Sequence, residues 1–145
     1  MDFLVAENAF FRIEHCYSCA VPGYLIVSAN IAVVCVHELA PSHQAQLGPS
    51  LAAASDLIQD VIKPVKVYCA QFGEEGRELH FHVFPRTTDI TNEFLKAYPE
   101  QKALIHGPVL LDWARTRYQA SKEKVWPLVS SVIHEMRKRS AMRAY

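Results

Sequence analysis

The stretch Glu78-Leu79-His80-Phe81-His82-Val83-Phe84-Pro85-Arg86 decides how this chain is read. Its polarity alternates with the period of two of a half-buried β-strand, in which successive side chains leave opposite faces. Leu79, Phe81 and Val83 take one face. Glu78, His80 and His82 take the other, with alternate Cα atoms roughly 6.5 to 7 Å apart. Two imidazoles and a carboxylate are an unusual load for one sheet face, because each must be solvated or paired if that face is covered. Three readings are open. One imidazole can attack a phosphorus centre while the other gives a proton or hydrogen bond to the phosphate or leaving group. Glu78, His80 and His82 can instead chelate a metal ion, or stand in solvent as ordinary strand residues. The Pro85-Arg86 pair that follows does not separate them.

Working outward, Val65 to Ala70 alternates as a strand, the turn Phe72-Gly73-Glu74-Glu75-Gly76 reverses the chain, and the return strand runs from Glu78 to Phe84, closed by Pro85. Upstream, Ala9 to Ile13 and Tyr24 to Val27 are β-branched and aromatic runs with Val21-Pro22-Gly23 as a turn between them, which predicts an antiparallel pair. From Ser42 to Ile62 the apolar positions Leu47, Leu51, Ala54, Ile58 and Val61 have helical spacing, and Pro49 is expected in the first turn of the main helix after a short leading turn. Beyond Thr87 the pattern is helical: Asn92 to Ala97, Gly107 to Tyr118, and an amphipathic run carrying Val125, Leu128, Val129, Val132, Ile133 and Met136. Strands, a helix, more strands and then helices indicate an α+β fold with an antiparallel sheet. Residues 1–145 read as one domain, with a core over about 9–90 and a helical C-terminal extension over about 107–145.

The composition agrees. The 145 residues are 50% hydrophobic and 21% charged, enough for one buried core and incompatible with intrinsic disorder. Fifteen Lys plus Arg balance fifteen Asp plus Glu, so bulk charge predicts neither nucleic-acid nor membrane binding, and an anionic ligand must be held by local geometry. The longest apolar run, Ile31 to Val36, is far short of a membrane span. The N-terminus lacks a basic-then-apolar signal pattern, and a cytoplasmic location is expected. Cys16, Cys19, Cys35 and Cys69 are expected as reduced thiols; Cys16-x-x-Cys19 lacks the second pair of a zinc site and reads as buried or pocket-lining thiols. Trp113 reads as a core anchor. His15, His37, His43, His106 and His134 read as surface or capping residues. The eight basic and two acidic residues between Trp113 and Tyr145 read as a solvated helix face or a local basic patch.

The His-hydrophobic-His pattern resembles the histidine triad family of nucleotide hydrolases and transferases, with His80 at the middle histidine, His82 at the third and Glu78 in place of the first. Val83-Phe84-Pro85-Arg86 is similar to the continuation in the dinucleoside polyphosphate hydrolase branch. Pro22-Gly23-Tyr24-Leu25-Ile26-Val27 resembles the family's Pro-Gly-His-hydrophobic strand, with Tyr24 in place of that histidine. Glu38-Leu39-Ala40-Pro41-Ser42 resembles the start of its main helix. The resemblance covers about residues 9 to 90.

It implies a five-stranded antiparallel sheet with helical cover, usually paired into a homodimer, and a nucleotide substrate. His80 would attack the α-phosphorus to form a nucleotidyl-histidine that water hydrolyses, His82 would bond phosphate or leaving group, and Glu78 would orient His80 or raise its pKa. Neutral imidazole suits the attack, since its pKa near 6.5 leaves one nitrogen lone pair at physiological pH. Gln71 matches a phosphate-contacting amide. Arg77 and Arg86 are candidate phosphate ligands, Cys16 stands where an Asp or Asn touches ribose or phosphate, and Ile26 lies on the strand that lines the nucleoside pocket. No cofactor or metal is expected in the protein, although substrate can arrive as a magnesium complex. The expected activity is nucleotidyl hydrolysis or transfer on a phosphoanhydride or phosphoramidate, dinucleoside polyphosphates first. The alternatives are a catalytically reduced nucleotide-binding or interaction module, and a metal-binding protein using Glu78, His80 and His82.

Overall fold

The computed structural model describes residues 2–74 and 78–142, apart from the side chains of Val125, Trp126 and Met142. Its strands are β1 (Leu4–Glu7), β2 (Phe11–His15), β3 (Leu25–Ala29), β4 (Lys66–Ala70) and β5 (His80–Arg86). Its α-helices are α1 (Pro41–Ile62), α2 (Thr88–Ala97), α3 (Gly107–Arg117) and α4 (Lys122–Met142). The strands form one sheet in the order β1-β2-β3-β5-β4, and every pairing is antiparallel. This is the expected α+β architecture with five strands.

Alternation along β2, β3 and β5 divides the sheet. Phe11, Ile13, Leu25, Val27, Phe81 and Val83 turn to one face and are buried under Ala54, Leu57 and Ile58 of α1 and Val129, Ile133 and Met136 of α4. Each large aliphatic or aromatic side chain so buried contributes about 1.5–3 kcal/mol. Arg137 of α4 also donates from Nε to the Leu4 carbonyl of β1 at 2.7 Å, clamping the last helix to the first strand. On the opposite face, Tyr24 and Phe84 are covered by Ile90 and Phe94 of α2 and Leu110, Leu111 and Ala114 of α3. Trp113 anchors this second cluster edge-on to Phe94, with ring centroids 5.5 Å apart. Since α2 and α3 cover this face around Tyr24 and Phe84, the two imidazoles further along β5 border an opening.

Several expected boundaries move, each for a local reason. The second strand starts at Phe11 rather than Ala9, because Asn8 Oδ1 accepts from the Phe10 and Phe11 amides and closes a turn there. That turn joins it to β1, a strand the sequence reading did not anticipate. The fifth strand runs from His80 to Arg86, leaving Glu78 outside it and Pro85 inside. Proline is tolerated because β3 pairs only as far as Val83, so Pro85 lies opposite Val67 with no strand on its other side. Pro49 is inside α1, not in its first turn; that place belongs to Pro41. Pro49 and Ala45, whose carbonyl loses its helical partner, are both on the solvent side, where water replaces the missing bond. The second helix begins at Thr88, earlier than Asn92, because Thr87 Oγ1 accepts from the Ile90 amide at 3.2 Å.

Val21-Pro22-Gly23-Tyr24 makes a tight turn in which the Tyr24 amide donates to the Val21 carbonyl at 3.2 Å and Gly23 has φ +87°. Proline followed by a left-handed residue is the type II arrangement. A Cβ at Gly23 would also collide with the Ile62 side chain, so glycine is required there twice over. His15 completes the turn from below. It is 1% exposed, and its two ring nitrogens meet the Cys16 carbonyl at 2.8 Å and the Gly23 amide at 2.9 Å. His15 and His43 are therefore interior residues rather than the surface or capping residues expected. His43 is buried with Nε2 2.8 Å from Asn30 Oδ1.

Candidate active site

Strand geometry delivers His80 and His82 to the same face. Their ring centroids lie 5.1 Å apart at 66°. His82 sits deeper, 6% exposed, opposite Ile26 of β3 and Ala70 of β4, while His80 is half-buried opposite Ser28. Phe72, before the 75–77 segment, places its ring 6.2 Å from that of His82.

Each imidazole has a partner on Nδ1. His80 Nδ1 is 2.9 Å from the backbone carbonyl of Glu78. A carbonyl only accepts, so His80 carries its proton on Nδ1 and, when neutral, keeps its lone pair on Nε2. His82 Nδ1 is 2.6 Å from the Tyr24 hydroxyl, and Tyr24 is itself fully buried. That bond joins residues 58 positions apart. It fixes the ring of His82 from the covered end of the sheet.

The two rings border a cleft with two lobes. The narrower, about 270 Å³, is lined by Phe72, Gly73 and Glu74 on one side and by Pro108, Leu111, Asp112 and Arg115 of α3 on the other. The wider, about 780 Å³, runs over β2 and β3 past Glu14, Cys16, Tyr17, Ser18, Ile26 and Ser28, with Glu78 and Gln119 also on its wall. His80, His82 and Arg115 line both lobes.

Solved structures place this architecture. A hypothetical histidine triad nucleotide-binding protein from Sulfolobus tokodaii strain7 matches with a TM-score of 0.63 at 15% identity, covering 97% of this chain and 86% of that one. A histidine triad protein from Bradyrhizobium japonicum matches at 0.54 and 21% identity, covering 61% of this chain and 64% of that one. One from Sinorhizobium meliloti 1021 matches at 0.54 and 22% identity, covering 60% and 64%. The fold is that of the histidine triad proteins. The chain spans under two thirds of the length of the last two relatives. No protein-family model matches the sequence, and no curated protein matches it significantly.

On this histidine triad fold the site residues expected from sequence separate into groups. His80, His82, Tyr24, Ile26 and Cys16 come together at or beside the cleft. Cys16 is buried, its Sγ 3.4 Å from Ser18 Oγ. Glu78 also lines the wide lobe, yet the group that holds His80 is its backbone carbonyl, not its carboxylate. This bond is not the carboxylate contact expected of Glu78, since any residue type supplies the same carbonyl.

Arg86 stands apart at the far end of β5. It donates from Nη1 to Thr91 Oγ1 at 3.3 Å and lies over the Tyr68 ring, 5.8 Å from its centroid, so it braces the start of α2. Among the described lining residues neither Arg86 nor Gln71 is found; the Gln71 amide folds back over Gly73. Arg77 lies outside the described residues.

Among the described residues, no three His, Cys, Asp or Glu side chains converge as a metal set, so Glu78, His80 and His82 do not form the chelate considered from their spacing. The four cysteines are free. Burial pushes the Cys19 thiol up to about 11, which keeps it protonated and unsuited to redox or metal chemistry at neutral pH.

The cleft-lining residues missed by sequence reasoning are on α3. Pro108, Leu111, Asp112 and Arg115 recur at three- and four-residue steps, which is one stripe of a helix. The sequence reading gave a helix from Gly107 to Tyr118 without this stripe, and nothing in the local pattern says which surface such a stripe meets.

Proposed function

We propose that this chain is a nucleotidyl hydrolase or transferase that works through a nucleotidyl-histidine at His80. The observation that carries this reading is the hydrogen bond from His80 Nδ1–H to the Glu78 carbonyl, in a ring that lines the cleft. It supports Nε2 as the nucleophile. As Nε2 bonds to phosphorus, the bond from phosphorus to the leaving group breaks and the leaving group departs with that electron pair. The ring becomes cationic in that step, and its Nδ1–H bond to a fixed carbonyl strengthens as the charge develops.

His82 serves the departing side. In this reading Tyr24 O–H donates to Nδ1, which puts the proton of His82 on Nε2, the nitrogen that then hydrogen-bonds phosphate or leaving group. Water then attacks the same phosphorus and gives up a proton to solvent, the phosphorus–nitrogen bond breaks, and a nucleoside monophosphate leaves while Nε2 regains its lone pair. Within this class, dinucleoside polyphosphates are the substrates the sequence resemblance favours, and single-phosphorus nucleotide esters and amides are the competitors. The homodimer implied by the same resemblance belongs to this proposal, and sedimentation velocity should give twice the 16.4 kDa chain mass.

The decisive experiment incubates the protein with dinucleoside polyphosphates and nucleoside phosphoramidates, with magnesium or with EDTA. Released nucleoside monophosphate is measured, and peptides are searched by mass spectrometry for a nucleotidyl group on His80. Turnover that disappears in His80→Ala supports the reading. Unchanged turnover in that variant refutes it, and nucleotide binding without any release selects the binding-module alternative.

A further inference from the structure

The Glu78 carbonyl, which accepts from His80 Nδ1 at 2.9 Å, belongs to the same planar peptide unit as the Leu79 amide, and that amide donates to the Val33 carbonyl at 2.7 Å. The carbonyl and amide of a trans peptide point in opposite directions, so Val33 and His80 grip this unit from its two sides. Fixing the N–H fixes the direction of the carbonyl. A bonded N–H also polarises its peptide and makes the carbonyl a stronger acceptor.

Val33 is not the partner that the strand ladder offers. β3 and β5 pair as far as Ser28 and His80, so Ala29 stands opposite Leu79, and two residues in that position of a continuing ladder exchange both bonds. The Ala29 amide does donate to the Leu79 carbonyl at 3.1 Å, but the Leu79 amide bonds Val33, further along the chain. The backbone loops out after Ala29 and turns back, with the Val33 amide donating to the Ile31 carbonyl at 3.0 Å. Asn30 anchors this loop. Its amide donates to the Phe10 carbonyl at 3.0 Å, its side chain donates to the Ala9 carbonyl, and its Oδ1 accepts from the buried His43. Ile31 and Val33 pack their side chains against the core. The Val33 carbonyl is thereby held in place.

We propose that Val33 positions the nucleophile: its carbonyl, acting through the Glu78–Leu79 peptide, holds His80 in the tautomer with the proton on Nδ1 and the lone pair on Nε2. Val33 is outside the described lining of the cleft, so it is a positioning residue. The tautomer needs no substrate, whereas the effect on turnover rests on the nucleotidyl-histidine reading above.

The test replaces single backbone amides by esters in the full chain, isotopically labelled at the histidine ring nitrogens. The ratio of the Nδ1–H to the Nε2–H tautomer of His80 is read from the ring-nitrogen resonances at alkaline pH, where imidazoles are neutral. Leu79→leucic acid removes the N–H and should lower the ratio about 2- to 10-fold, the worth of one hydrogen bond. Val34→α-hydroxyisovaleric acid turns the Val33 carbonyl into an ester carbonyl, a weaker acceptor, and should lower the ratio about 1.5-fold or more. It breaks no other bond among the described residues, since Val34 is exposed and its amide donates to none of them. In both proteins His82, held by Tyr24 rather than by this peptide, should keep its resonances, which separates a change at His80 from general loosening. Turnover, measured on the same samples, should show kcat falling with KM held.

A ratio that moves in the Leu79 ester but not in the Val34 ester would place control in the Glu78 carbonyl alone and overturn the role of Val33. An unchanged ratio in both would overturn it as well. If both ratios shift in a chain that turns over no nucleotide, the positioning role stands and the nucleotidyl-histidine reading falls.

Discussion

Acidification should unfasten the turn that carries Tyr24. His15 accepts the Gly23 amide on Nε2 and donates from Nδ1 to the Cys16 carbonyl, so it must be neutral. Burial holds its pKa down at about 4 against an ordinary 6.5, only partly offset by the Cys16 bond, which favours the charged ring. The unfolded chain binds a proton at this ring below pH 6.5, and the folded chain does not until about pH 4. Stability from this residue is therefore complete above pH 6.5, falls as the pH is lowered through that window, and levels below about pH 4.

At about 1.4 kcal/mol per pH unit, the full loss is about 3 kcal/mol, and about 2 kcal/mol of it should appear between pH 7.5 and pH 5. The assay is urea denaturation at these two pH values, followed by tryptophan fluorescence, for the wild type and for His15→Gln. The variant should be less stable at pH 7.5, since the Gly23 amide loses an aligned acceptor, and its stability should depend less on pH by about 2 kcal/mol over that window. Equal pH dependence in the two proteins would refute the claim that a neutral, buried His15 fastens the turn.

Other consequences can be checked on the same material. His80→Ala should abolish turnover while changing unfolding free energy by no more than about 1 kcal/mol, because the ring is half-buried and gives up one hydrogen bond; a large drop in stability would show that the residue is structural. Tyr24→Phe removes the bond to His82 Nδ1 and should cost about 1 kcal/mol of stability together with a fall in kcat larger than any change in KM; an unaltered kcat would sever Tyr24 from the mechanism. Gly23→Ala should destabilise by more than about 1 kcal/mol, since it adds a Cβ both to a left-handed backbone and against Ile62; thermal unfolding reads this directly. Phe94→Ala should cost about 3–5 kcal/mol, as its ring is fully buried between Tyr98 and Trp113 under the sheet; a loss below 1 kcal/mol would mean that α2 is not fastened through this side chain.

How far local pattern reaches is clear from particular residues. Alternation along residues 80–84 placed both imidazoles on one face, because strand parity is a property of the backbone and needs no partner. The Pro22-Gly23 turn and the stripe of α1 were legible for the same reason: a dihedral preference or a helical repeat is written within a few residues. The alternation was blind to the end of pairing that admits Pro85 into β5. A helix N-cap at Thr87 was missed because an apolar repeat marks a helix by its interior rather than by its first hydrogen bond.

What the amino-acid order settled alone was the α+β class, the shared face of His80 and His82, and the surplus of polar groups there. Tertiary structure decided what those imidazoles meet. The carbonyl of Glu78 rather than its carboxylate sets the tautomer of His80, and Tyr24, 58 residues away, grips His82. Arg115 reaches the same cleft from α3. Arg86, adjacent in sequence to the motif, is turned away to Thr91 and Tyr68. Hydrogen bonds and charges act over a few ångströms in space, and only the pairing of strands and the docking of helices bring residues so distant in sequence within that range.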